Sequence, residues 1–98
     1  MSKEQTICIG RVCKAKAGRG KGRYFLICGI VDADYVLLID GDTRKAAKPK
    51  LKKCRHLDCR PYVAEELAGK IREGSPLMDA EIRNTLARIE AAEQSKEK

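Results

Sequence analysis

The chain has 98 residues, of which 43% are hydrophobic and none is Trp, and it carries a formal net charge of +7. That length allows one small domain with a modest core and at most a short appendage, and no signal-peptide h-region or bilayer-length apolar run is present. The five cysteines, an odd number without signs of export, read as reduced thiols of a cytoplasmic protein, so neither a disulfide scaffold nor a membrane protein is expected. The charge is unevenly spread. Residues 1–62 hold fifteen Lys or Arg against six Asp or Glu, a balance of +9, whereas residues 63–98 balance at −2. A merely solvated surface does not need that asymmetry, so a polyanion, nucleic acid foremost, is the expected partner.

In chain order, the opening "MSKEQ" is polar and expected to fray. "TICIGRVCKA" has strand composition, interrupted by Gly10 as at a bend or a close backbone approach. A basic glycine loop follows, and "RYFLICGIV" then reads as a second strand. After a polar turn at residues 32–34, "YVLLID" is the third, closed by an Asp40-Gly41 turn. A short strand is expected at residues 44–47. "KPKLKK" reads as a basic loop, because Pro49 disfavours pairing, and a last strand is expected at residues 54–59. Five short strands with tight turns suggest a small β-barrel occupying residues 1–62.

After Pro61 the period changes. Val63, Leu67 and Ile71, with Ala64 and Ala68, define one apolar helical face, and Glu66 and Lys70 are spaced as an i, i+4 pair. Residues 74–76 should end that helix. Asp79 begins another, with Ile82, Leu86 and Ile89 as its stripe before a frayed tail. Residues 63–98 thus form a helical hairpin. The second and third strands are apolar on both faces, so the hairpin is expected to cover the barrel wall that faces away from the interior.

The glycine loop invites a nucleotide-enzyme reading, which the residues reject. Gly20-Lys21 is followed by Gly22 instead of a hydroxyl residue, and Ala15 stands where the first glycine of a phosphate loop belongs. Arg23 breaks the dinucleotide fingerprint, and a strand follows where phosphate binding needs a helix N-terminus. What remains is a strand–loop–strand unit. Gly18 and Gly22 supply positive φ, and Lys14, Lys16, Arg19, Lys21 and Arg23 crowd around the tip. Such crowding costs free energy unless an anion binds, and a phosphodiester backbone suits both guanidinium and ammonium groups.

"GRVCKAKAGRGKGRYFLICGIVD" (residues 10–32) resembles a KOW motif, with a Gly-x-Val opening strand, a basic loop holding Gly18 and Gly22, and an apolar strand ending at Asp32. With "YVLLIDGDTRK" it is similar to large-subunit ribosomal proteins of the fourteen-e and twenty-seven-e type, and to small bacterial KOW-domain proteins described as RNA-binding. The resemblance covers residues 7–58. It implies an SH3-like five-stranded barrel that contacts RNA, rRNA above all, through the loop around Gly18 and Gly22 and through neighbouring basic turns. KOW barrels of NusG-type elongation factors, where such a domain binds protein, are the alternative, and the helical hairpin is a further possible site for a protein partner.

A second cluster, Arg44, Lys45, Lys48, Lys50, Lys52, Lys53 and Arg55, is expected to join the glycine loop in one RNA surface. Aromatic side chains are few, so backbone and shape recognition of folded RNA is favoured over reading of single-stranded bases. Cys54, His56 and Cys59, with Cys8 or Cys13, raise a zinc reading. No C-x-x-C is present, and extended chain would send Cys54 and Cys59 to opposite faces, so no metal or other cofactor is expected. With a single His and with aspartates in turns, catalysis is not expected either.

Overall fold

The computed structural model describes residues 7–18 and 20–96. The expected fraying of the first residues and the placement of Arg19 lie outside them. The elements are β1 (Arg11–Ala15), β2 (Tyr24–Ile30), β3 (Tyr35–Ile39), β4 (Lys50–Lys53), a 3₁₀ turn (Cys54–His56), β5 (Leu57–Val63), α1 (Glu65–Glu73) and α2 (Asp79–Lys96). All five strands join one antiparallel sheet in the order β4-β3-β2-β1-β5. The sheet has two edges and is not a closed barrel, contrary to expectation.

The sheet is nevertheless curled. Its edge strands β4 and β5 are consecutive in the chain and joined by a 3-residue 3₁₀ turn. In a flat sheet those edges would lie about 19 Å apart, at about 4.8 Å per strand. A 3₁₀ turn rises only about 2 Å per residue, so the edges must approach each other at this end. Backbone bonds hold the junction in place: Cys54 N–H donates to Asp34 O at 2.7 Å, and Lys16 N–H donates to His56 O at 2.8 Å.

Each face of the sheet is apolar. Inside the curl lie Cys13, Ala15, Phe25, Ile27, Val36, Leu38 and Leu57. On the other face Val12, Tyr24, Leu26 and Ile39 pack with Leu67 of α1 and with Ile82 and Leu86 of α2. Register explains the division. Leu26 pairs with Ile39 on the helix side, and Ile27 pairs with Leu38 inside the curl. The helices thus cover a sheet surface that water would otherwise wet.

Several local expectations are corrected. Residues 44–47 form bends and turns, and the fourth strand is Lys50–Lys53, which the sequence suggested as loop. Pro49 immediately precedes it, a position where its missing N–H removes no ladder bond. Strand β5 runs through Pro61 to Val63, tolerated because β5 is an edge, so Val63 belongs to the sheet and not to the helical face. Lys70 Nζ bonds Glu81 of α2 at 2.8 Å, a tie between the helices, where Glu66 was expected as its partner.

Gly10 precedes β1 with φ 89°, and a Cβ there would sit 2.6 Å from Ala68 Cβ. Its carbonyl accepts from Ala64 N–H at 2.8 Å, which docks the start of α1 on the sheet. The tail is not frayed as far as Lys96. Glu93 is buried and accepts from Tyr24 Oη at 2.7 Å and from Arg60 Nε at 2.9 Å, and Arg60 also bonds Asp58 at 2.9 Å. Burial, then the Glu93 carboxylate, pushes the Tyr24 phenol up to about 12. Burial pushes the Glu93 carboxyl upward, but the Tyr24 and Arg60 donors prevail and hold it below its ordinary 4.5.

Two predictions follow from these contacts. Gly10→Ala should lose about 1–2 kcal/mol for the backbone conformation and about 1–3 kcal/mol more for overpacking against Ala68. Gly22→Ala, with φ 88° and nothing within 4 Å, should lose only the first part, as urea unfolding will read. Glu93→Gln should cost about 1.5–3 kcal/mol at pH 7. The native carboxyl is depressed, so its stabilisation is complete above pH 4.5 and lost as pH falls below it. Melting curves should therefore show the variant losing less stability than the wild type between pH 7 and 3.

Candidate nucleic-acid interface

The loop of residues 16–23 is a closed extension of the β1–β2 hairpin. Ala15 N–H donates to Arg23 O at 3.0 Å, Gly22 N–H donates to Ala15 O at 2.9 Å, and Lys21 N–H donates to Gly18 O at 3.2 Å. Gly18 and Gly22 take φ 87° and 88°, as the sequence suggested, whereas Gly20 stays out of that region. The backbone is thus bent by the two flanking glycines, and Lys16 and Lys21 are exposed with no ion pair among the described residues.

One side of the loop meets β4 and the 3₁₀ turn. Lys52 Nζ donates to Ala17 O at 3.2 Å, and Lys16 is bound through its backbone to His56. The glycine loop is therefore in contact with the segment that carries the second basic cluster. Strand alternation decides which members. Lys50 and Lys52 pair with Leu38 and Val36, so they share the face that lines the curl and extend beyond it. Lys53 pairs with Tyr35 on the opposite face and lies 5.7 Å from its ring. Arg55, exposed in the 3₁₀ turn, is next to His56 at the stem of the loop.

The other side meets the turn after β3. Arg23 Nε donates to Asp40 at 3.0 Å and its terminal nitrogen to Asp42 at 2.8 Å. Asp40 is 5% exposed and also accepts from Asp42 N–H at 2.9 Å, Arg44 N–H at 2.7 Å and Thr43 Oγ1 at 2.8 Å. Burial pushes its carboxyl upward, but these donors prevail and leave it below its ordinary value. Arg23 is therefore neutralised within the protein, and the repulsion expected among the loop cations is partly relieved without any ligand. Lys14 is drawn aside too, 5.5 Å from the Tyr24 ring. Arg44 supplies backbone to the Asp40 turn, while Lys45 and Lys48 belong to a turn that Asp79 of α2 fastens through Ala46 N–H at 2.9 Å. Arg44, Lys45 and Lys48 thus stand beyond two acids from the glycine loop.

Sequence reasoning missed Arg83. From α2 it donates to Gly41 O at 2.8 Å, and with Lys21, Arg23 and Glu90 it lines a cleft of about 500 Å³ between the glycine loop and the helix. No periodicity marks Arg83 as facing a loop sixty residues earlier. The Asp-Gly-Asp run, with several donors to satisfy, was the one local sign of an organising carboxylate.

Among the described residues no three His, Cys, Asp or Glu side chains are grouped to hold an ion. Cys54 and Cys59 pack against the same interior cluster, because the 3₁₀ turn between them interrupts strand alternation. Cys13 and Cys59 are register partners with Sγ atoms 3.1 Å apart. That contact and burial push the Cys13 thiol up, while the same contact, aided by Arg11 and Lys16, pulls Cys59 below its ordinary value. Cys28 and Cys54 are pushed up by burial. Brief iodoacetamide treatment of the folded protein should therefore label Cys59 before Cys13, Cys28 and Cys54. Peptide mass spectrometry finding Cys54 labelled first would contradict this. No protein-family model matches the chain, and no curated protein matches it.

Proposed function

We propose that the protein is a KOW-type RNA-binding protein whose curled sheet is the SH3-like fold of that family, and that it works in translation by holding folded rRNA through phosphates. Residues 10–32 carry the resemblance, and the charge balance of residues 1–62 supports a polyanionic partner. The observation that carries the reading is the contact of Lys52 with Ala17, which makes the glycine loop and β4 one basic flank. Lys16, Lys21, Lys50, Lys52 and Arg55 are the phosphate ligands of this flank, with Arg19 assigned from its place in the motif. Arg23 has a different part, as the anchor that fastens the loop to the Asp40 turn. The acidic balance of residues 63–98 matches a covering and supporting role for the helices.

The test is the salt dependence of binding to a structured RNA. Each phosphate neutralised contributes about 0.7–0.9 to the slope of log K against log salt, by the rule measured for DNA. Lys16→Gln with Lys21→Gln should lower that slope by about 1.4–1.8 and weaken binding to all sequences alike. Arg23 is left intact because losing its guanidinium would leave the buried Asp40 carboxylate short of a partner and disturb the loop itself. An unchanged slope in a folded double variant would remove the glycine loop from the interface. Salt-independent capture of a protein, without RNA affinity, would favour the adaptor alternative.

A further inference from the structure

The cleft between the glycine loop and α2 differs in kind from the basic flank. Two of its three cations are held internally. Arg23 is gripped by Asp40 and Asp42, and Arg83 by the Gly41 carbonyl. With Asp42 and Glu90 also on the walls, the cleft has little net charge to offer a phosphate. Leu86 and Ala87 give it an apolar strip along α2. What the pinning preserves is shape: guanidinium planes fixed in position, that of Arg23 with a side chain 43% exposed. Such planes serve as stacking surfaces for nucleobases, as aromatic rings do. Scarce aromatic residues therefore do not exclude base recognition here.

We infer, on the premise that the protein binds RNA, that this cleft receives one unpaired guanine extruded from the structured RNA held by the basic flank. A volume of about 500 Å³ falls in the range of about 300–1,000 Å³ typical of small-molecule sites. Lys21, on the same loop, stands at the wall to take a flanking phosphate. The base lies between the apolar strip of α2 and the pinned Arg23 guanidinium, with Arg83 on the same helix as the strip. Guanine is selected because the carboxylates of Asp42 and Glu90 accept hydrogen bonds, and its Watson–Crick edge presents N–H donors at two adjacent positions. Adenine and cytosine present one amino group beside an acceptor nitrogen, which faces a carboxylate unfavourably. The helices then contribute to recognition as well as to burial.

The experiment compares RNA hairpins that are uninterrupted or carry a single bulged G, A, C or U, with affinity read by fluorescence anisotropy at fixed salt. Stacking of one base is worth about 1–3 kcal/mol, so the bulged-G hairpin should bind about tenfold tighter than the uninterrupted one. Ala87→Leu, at an exposed position of α2, fills the cleft and should abolish that preference while leaving affinity for the uninterrupted hairpin unchanged. Glu90→Gln should reduce discrimination between G and A, and it keeps the test open should the leucine disturb the helix. Equal binding of all hairpins, or a G preference that survives both substitutions, overturns the cleft assignment but leaves the phosphate-binding reading standing. Absence of binding to every hairpin overturns both.

Discussion

Strands β2 and β3 bury side chains on both faces, and this constraint governs the molecule. Leu26 and Ile39 must be covered on one side while Ile27, Val36 and Leu38 must be covered on the other. The described residues form one sheet only, with no second sheet to cover either face. The sheet instead curls over its own inner face, drawn together by the short 3₁₀ link between its edges, and the two helices cover the outer one. Burial of apolar area, at about 25 cal/mol per Å², favours both halves of that arrangement. Everything polar is placed by it, because the curl decides which loops are neighbours.

The neighbours of the glycine loop are of two opposite kinds. Toward β4 it meets lysines, and Lys52 bonds its backbone without meeting an acid. Toward the β3 turn it meets Asp40, a carboxylate whose burial is tolerable because four donors satisfy it. Positive charge is thus left uncompensated on one side and locked into salt bridges on the other. A crowded cationic loop read from sequence has one character, whereas the folded loop has one flank that meets lysine and another that meets paired carboxylates. Arg23 and Lys21, two residues apart, both line the cleft beside α2, but only Arg23 is locked into salt bridges there.

Much of the sheet was legible because its signals are local. Alternating and continuous apolar runs marked β1, β2 and β3, and glycines at positions 18 and 22 marked the positive-φ bends. Lys50–Lys53 was misread because three lysines look like a loop when the strand they form is an edge with its ladder on one side only. Gly10 was read as a bend or a close approach, but the residue it approaches, Ala68, lies on an element whose docking angle no local pattern encodes. Glu93 stood in a segment that seemed fit only to fray. Its burial depends on Tyr24 and Arg60, which are brought there by two different strands.

By itself, then, the sequence determined the strand and helix types, the excess of positive charge before residue 63, and the need for cover on a doubly apolar sheet. These follow from periodicity, turn chemistry and composition, which act over a few residues. Tertiary structure alone decided that the sheet curls without closing, that Arg23 is neutralised while Lys16 and Lys21 are not, and that Arg83 shares a cleft with the glycine loop. Those outcomes depend on Coulombic and hydrogen-bond partners distant in the chain, and such partners exist only once the curl has set the distances between them.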